Sequence, residues 1–292
     1  MNGVININKP KGITSFDVVY KIKKISGEKK IGHTGTLDPL ATGVLPICLG
    51  KSTKLIDYIM SGKKKYRVKF QLGIVTDTYD SEGTILEEHD TSYITKEEVL
   101  HVINSFKGDI MQEPPMYSAL KQNGVRLYEL ARKGIEVERE KRPISIFNIE
   151  NIEIDLPYIT MDVSCSKGTY IRSLCYDIGK SLNVGAVMRE LTRMASEPFD
   201  IKDSVDLESL DLETLLKHMI SSEEALSMYE SVILEEGYEK LLINGVKLLD
   251  PNFTKSFFEL DEIYKVYNSK NEFLGIGKGT NQGFKLLKNL ME

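Results

Sequence analysis

Residues 66–72 alternate strictly. Tyr66, Val68, Phe70 and Leu72 are apolar or aromatic while Arg67, Lys69 and Gln71 are polar, the two-residue period of a strand with one buried face. The unbroken apolar run Val44-Leu45-Pro46-Ile47-Cys48-Leu49 fits a buried strand. Further strands are predicted over 3–7, 84–88, 144–154, 159–165 and 184–195, the last with Arg189 and Arg193 facing solvent. Helical spacing appears in three places: Val18, Ile22 and Ile25 behind a Thr14 or Ser15 cap, with Gly27 as the stop; Val99, Val102, Ile103 and Phe106 behind the capping box Thr95/Glu98; and Ile171, Leu174, Cys175 and Ile178. A short helix is expected over 53–60.

Two prolines, Pro114 and Pro115, forbid a helix, so 113–121 should be extended. Asn123-Gly124 then predicts a tight turn, and 125–133 a basic helix stopped by Gly134. These residues form an excursion from the main sheet, about 112–142. After Pro198 the chain is acidic and helical, including 210–220. Beyond about residue 236, short apolar strings separated by Gly, Asn and Pro suggest a small β-rich module. The domain reading is therefore 1–235 and 236–292.

One stretch stands apart. Gly32, Gly35, Pro39 and Gly43 punctuate residues 32–43, which gives a loop of specified shape leading into the apolar strand. It carries one imidazole, His33, and one carboxylate, Asp38. Composition alone leaves two readings open: a turn begun by Asp38-Pro39, or a site. Nearby, Gly50-Lys51-Ser52 ends like a phosphate-binding P-loop, but that motif needs a glycine where Leu45 stands, and a nucleotide triphosphate site is rejected.

At 292 residues the chain can bury a real core. Its 41% hydrophobic and 28% charged content is that of a globular protein. No run approaches the roughly 18 apolar residues a membrane span needs, no signal peptide is apparent, and the location expected is cytoplasmic. Three scattered cysteines (Cys48, Cys165, Cys175) predict core thiols, and the four histidines have no metal-ligand spacing. The net charge of −5 hides an asymmetry: residues 1–70 hold 14 Lys/Arg against 4 Asp/Glu, whereas 197–239 hold 2 against 13. The basic end brackets the loop, which points to an anionic partner through Lys21/Lys23/Lys24, Lys29/Lys30 and Lys63/Lys64/Lys65/Arg67.

Six ordered blocks besides the loop carry a resemblance. They are Asn8-Lys9-Pro10 with Gly12 and Ser15; Lys65-Tyr66-Arg67; Thr76-Asp77-Thr78 with Asp80 and Gly83; Pro114-Pro115 with Tyr117-Ser118-Ala119; Ala131-Arg132-Lys133-Gly134; and Cys165-Ser166-Lys167-Gly168-Thr169-Tyr170-Ile171-Arg172. With Gly32-His33-Thr34-Gly35-Thr36-Leu37-Asp38-Pro39-Leu40-Ala41-Thr42-Gly43, the chain resembles the TruB family of tRNA pseudouridine synthases over roughly its first two hundred residues.

The resemblance implies an α+β fold: a mixed, mainly antiparallel central sheet flanked by helices, with a small PUA-like C-terminal module. It implies a cofactor-free, metal-free isomerase that detaches a uracil from C1′ and rejoins it through C5, usually at the T-loop uridine 55 of tRNA. Asp38 matches the essential aspartate, Tyr66 the tyrosine stacking on the base, and Arg172 the arginine paired with the aspartate. His33 matches the residue filling the space of the flipped nucleotide, and Asp80 lies where a helper of flipping is expected. Tyr170 and Leu191 match pocket-lining positions, and Lys9 a lysine of structural role. The segment 185–194 follows the family wording only loosely. The implied partner is the tRNA T-arm, with no membrane and no partner protein, the chain acting as a monomer.

The chemistry suits these residue types. Breaking the glycosidic bond develops positive charge on the sugar, which a carboxylate beneath C1′ stabilises electrostatically or covalently. The same carboxylate could instead remove the C2′ proton, and sequence does not choose. A tyrosine face holds an uncharged base by stacking while leaving it free to turn. A base stacked within a loop must first be extruded. Two other readings compete: a guide-RNA-dependent synthase, and an RNA-binding or RNA-folding protein with a vestigial site.

Overall fold

In a computed structural model that describes residues 1–291, one large sheet organises the chain. Its path runs Val205–Asp206, Gly3–Lys9, Thr42–Leu49, Ala186–Ser196, Lys64–Leu72, Tyr158–Cys165, Arg142–Asp155, Gly108–Gln112, and the short strands Ile31–His33 and Phe199–Asp200 attach beside it. Pairing is antiparallel except where Gly3–Lys9 meets Val205–Asp206 and where Ala186–Ser196 meets Thr42–Leu49. The sheet is thus mixed and mainly antiparallel, as expected. The parallel contact joins Thr192 and Arg193 to Thr42 and Gly43, so the end of the loop meets a strand 150 residues later in the chain.

One face of the sheet buries Ile5, Ile7, Leu45, Ile47, Val68 and Phe70 against the helices Ser15–Ser26, Lys96–Ser105 and Ile171–Ser181. Tyr66 packs against this same cluster, at the end of the alternation read from the sequence. Thr14 caps the first helix and closes a capping box with Asp17, while Gly27 ends it in the left-handed region at φ 65°. The second capping box, Thr95 with Glu98, is also present. Each cap satisfies orphan amides of a first turn. All three cysteines are buried and unpaired.

The opposite face buries Val4, Val44 and Cys48 with Leu55, Ile59 and Ile276, the last from a four-stranded C-terminal sheet. That sheet runs Ser231–Ile233, Ile263–Tyr267, Phe273–Thr280, Gly283–Asn289, and its own core includes Val232, Tyr264, Val266, Leu274 and Phe284. The false P-loop serves this junction: residues Gly50–Leu55 form a 3-10 turn whose Lys51 and Lys54 ammonium groups donate to the carbonyls of Met291 (2.6 Å) and Asn289 (2.8 Å).

Several expectations change. Residues 125–133 are not one helix: Lys121–Gln122 and Val125–Arg126 form a hairpin, and only Leu127–Ala131 is helical. Asn123 and Gly124, both at positive φ (51° and 84°), turn the chain too tightly for a helix to begin before Leu127. Of the acidic region, Leu212–His218 is its longest helix, with short strands and 3-10 turns around it. The strand at Ile85–Glu88 is exposed throughout and pairs only with Ile74–Thr76, outside the main sheet. Among the described residues, no helix is long and apolar enough to cross a membrane.

Candidate active site

The loop that carries Asp38 is fastened from below. Lys9, with no exposed surface, donates from Nζ to the carbonyls of Ile13 (2.7 Å) and Pro10 (2.9 Å), and reaches that of Pro39 (3.5 Å). Burial lowers its pKa to about 8, an effect partly offset by the Asp38 carboxylate nearby. The Ser15 hydroxyl brackets Leu37, accepting from its amide (2.8 Å) and donating to its carbonyl (3.1 Å). Gly12 N donates to Pro39 O at 2.8 Å. Leu37, Leu40 and Ala41 are sunk in the core. Residues on both sides of Asp38 are therefore fixed, while its own side chain remains 37% exposed.

Arg172 joins this loop to two others. Its Nη2 lies 2.9 Å from Asp38 Oδ2 and donates to the Tyr117 carbonyl at 2.8 Å. Nη1 donates to the Thr78 carbonyl at 3.1 Å and lies 3.5 Å from Asp80 Oδ2. Both Arg172 and Asp80 are buried. Asp80 Oδ1 in turn accepts from Thr78 Oγ1 (2.6 Å) and Glu82 N (3.1 Å). A planar fork of five donors is the side chain that can serve four acceptors at once. Its position on the helix Ile171–Ser181 is set by Gln112, which clamps the Tyr170 backbone from both sides, at 2.8 and 3.0 Å.

Tyr66 stands on the central strand directly opposite Arg193. Burial pushes the Tyr66 hydroxyl up, and the Arg193 guanidinium beside it pulls it back; Asp38 is close enough that its charge also acts on Tyr66. Tyr170, raised by burial, senses Arg172 and Asp38 in the same way. Leu191 is buried two residues before Arg193, opposite Val68. His33 is half-buried, and its Nδ1 accepts from Gly35 N at 3.3 Å, which leaves its proton on Nε2. Burial and then Arg193 lower its pKa, which favours the neutral ring.

The structure thus brings Asp38, Arg172 and Asp80 into one ion-paired group, with Tyr66 and Tyr170 within the field of Asp38. His33 is linked to Tyr66 through Arg193, and Leu191 lies on the Arg193 strand opposite Val68. Lys9 lies wholly beneath. Two readings are corrected here. Arg193, expected at the surface, is 2% exposed because it shares the inward face of Leu191. Alternation around Leu191 was the available signal, and the charge of Arg193 concealed it. Of the cluster Lys63/Lys64/Lys65/Arg67, only Lys63 stays exposed without an acidic partner among the described residues, over the Phe147 ring at 5.2 Å; the other three are engaged within the protein. Lys64 is buried and donates to Met60 and Gly62 carbonyls, Lys65 pairs with Glu150 (2.6 Å), and Arg67 chelates Asp162 (2.7 and 3.0 Å).

A long mixed sheet with a loop-borne carboxylate against an arginine at its centre is the architecture of the pseudouridine synthases, and comparison with known proteins narrows the class. Residues 23–171 match the N-terminal domain of TruB family pseudouridylate synthases, and 172–234 the C-terminal domain of tRNA pseudouridylate synthase B. The chain belongs to the TruB family. It is 58% identical to the tRNA pseudouridine synthase B of Clostridium perfringens, over 100% of each chain. To that of Dehalococcoides mccartyi it is 43% identical, over 94% of this chain and 92% of the relative. Among solved structures, an H/ACA RNP bound to a substrate RNA containing 2'-deoxyuridine is similar at TM-score 0.76 and 25% identity, covering 99% of this chain and 85% of the other. A Cbf5-Nop10-Gar1 complex gives 0.75 and 27%, covering 99% and 84%.

Proposed function

We propose that this protein converts a uridine of tRNA, the T-loop residue 55, to pseudouridine without a cofactor, acting alone as a monomer. The observation that carries the reading is the Asp38 carboxylate, held at 2.9 Å by a buried arginine while still open on one side. Such a group offers a fixed negative charge to a sugar that becomes cationic as its glycosidic bond breaks, with no reorganisation needed at that moment.

In this reading Asp38 acts at C1′ as nucleophile, or at C2′ as base. Arg172 orients it and keeps Asp80 and two loops in register around it. The target nucleotide leaves the T-loop stack, its uracil lies on the Tyr66 ring, and Tyr170 and Leu191 close the pocket. The neutral His33 occupies the space vacated in the RNA. The uracil leaves with the electron pair of the C1′–N1 bond, turns on the Tyr66 ring while held, and bonds to C1′ through C5, displacing the Asp38 carboxylate where an ester had formed. C5 then loses its proton and N1 takes one up, which restores the conjugated ring. Lys9 serves by shaping the loop, since it has no surface to offer RNA. Full-length similarity to tRNA pseudouridine synthase B favours the stand-alone form over the guide-RNA-dependent one.

The test is mass-spectrometric mapping of pseudouridine in a tRNA transcript after incubation with purified protein and no added cofactor. Conversion confined to the T-loop uridine, absent with Asp38→Asn, is the expected result. An unmodified transcript would leave RNA binding alone, and modification only with an added guide RNA would move the chain to the other class.

A further inference from the structure

Arg193 has an expensive position. It is 2% exposed, and among the described residues no carboxylate lies within 4.0 Å of it. Besides the Tyr66 hydroxyl, it is held by main-chain carbonyls: Nε donates to Val44 O at 2.6 Å and Nη2 to Gly35 O at 3.2 Å. A buried charge without a carboxylate partner costs several kcal/mol, and its field is felt around it, where, behind the larger effect of burial, it helps lower the pKa values of Lys9, His33 and Lys64. Filling space would be cheaper with an apolar side chain.

The geometry shows what the cost secures. Arg193 is the residue directly across from Tyr66 on the neighbouring strand, and its backbone pairs on the other side with Gly43. Directly opposed residues in an antiparallel pair present their side chains to each other at about 5 Å, and the guanidinium indeed lies beside the Tyr66 hydroxyl. From there one arm reaches Gly35, whose amide is bound to His33, and the other reaches Val44, just past the loop. Gly43 has φ +99°, and a Cβ there would overlap the Arg193 carbonyl oxygen, so the strand and the loop end are in main-chain contact as well.

We infer that Arg193 is a positioning residue that locks the Tyr66 platform to both ends of the Asp38 loop, so that the ring, the His33 turn and the carboxylate keep one relative geometry. The inference rests on the proposed isomerase reading for its kinetic consequence, but the lock itself is a property of the folded chain. Lysine cannot replace it: a single ammonium does not reach Val44, Gly35 and Tyr66 in the geometry of a planar fork.

The test compares Arg193→Gln, Arg193→Lys, Tyr66→Phe and the Tyr66→Phe/Arg193→Gln pair for single-turnover rate and affinity on a T-arm transcript. Hydrogen exchange over residues 33–45 is measured alongside. Arg193→Gln is expected to slow the rate about 10²-fold, the cost of a misplacement near 1 Å, with affinity changed only a few fold. Arg193→Lys, though charged, recovers little of it. Tyr66→Phe lowers the rate severalfold, and in that background the Arg193→Gln loss shrinks, because the two residues act together. Exchange quickens over 33–45 in both Arg193 variants while the melting transition persists. A lysine variant at the wild-type rate, or the same loss in both Tyr66 backgrounds, would overturn the inference. So would unchanged exchange, a reading independent of turnover: a wild-type chain inert on RNA would refute the isomerase while exchange still decides the lock.

Discussion

Removing Arg172 should separate the stability of the site from its chemistry. Arg172→Met deletes the partner of two carboxylates that differ in surroundings: Asp38 is 37% exposed and Asp80 only 8%. Water can take over at Asp38, so its loss of a partner costs little. Asp80 is left as a buried anion with only Thr78 and Glu82 as donors, and the carbonyls of Thr78 and Tyr117 lose theirs. Breaking a buried pair from one side costs about 3–5 kcal/mol, and the lower figure applies because Oδ1 of Asp80 keeps its hydrogen bonds. At ~2–4 °C per kcal/mol for a domain of this size, the melting temperature should fall by roughly 6–12 °C. Asp38→Asn, by contrast, should cost less than about 1 kcal/mol, because Asp38 is partly solvated and Arg172 keeps Asp80 and two carbonyls as partners. That variant should nevertheless abolish pseudouridine formation. Calorimetry of wild type, Arg172→Met, Asp80→Asn and Asp38→Asn provides the comparison. If Asp38→Asn is as destabilising as Arg172→Met, or Arg172→Met is neutral, the division of labour argued from burial is wrong.

Other outcomes follow from particular contacts. Tyr66→Ala should slow turnover by the worth of one stacked base, about 1–3 kcal/mol or roughly five- to 150-fold, and a rate assay showing no change would place the ring elsewhere. Gly43→Ala should destabilise the protein by about 2 kcal/mol or more, since it combines φ +99° with overlap on the Arg193 carbonyl; an unaltered melt would contradict the close approach. RNA affinity should fall with salt in proportion to the phosphates neutralised. Because Lys64, Lys65 and Arg67 are engaged within the protein, replacing Lys65 should leave the salt slope unchanged, whereas replacing Lys23 and Lys24 together should lower it. Asp177 tests the pH response. Burial raises its carboxyl to about 6 from 3.8, so the native state holds its proton more tightly than the unfolded chain between those values. Stability from this group is therefore present below pH 4 and lost as pH rises through 6. Asp177→Asn should raise the melting temperature at pH 7.5 and not at pH 4; an equal gain at both would show the carboxylate is not the cause.

How much of this was legible in advance depends on the range of the interactions concerned. Alternation at 66–72, the apolar run of 44–49, the two capping boxes and the Gly27 stop are local, set by the period of a strand or by hydrogen bonds spanning three residues, and each appears where the chain predicts it. Likewise the glycine- and proline-punctuated loop announces itself, and the ordered motif blocks lead from it to the family. What residue types cannot reveal is which charges are turned inward. Arg193 and Lys64 look like surface cations, yet are buried because strand register assigns them the inner face or hands them carbonyl partners; Lys65 and Arg67 find acids on strands about 85 and 95 residues away. The hairpin at 121–126 overrode a helical pattern because two consecutive residues at positive φ set the chain direction first. Sequence by itself determined most of the elements, the loop and its carboxylate. Only the tertiary structure decided that Arg172 ties Asp38 to Asp80 and that Arg193 faces Tyr66, because ion pairing and strand register act between segments about ninety or more residues apart, whose approach depends on packing the whole sheet.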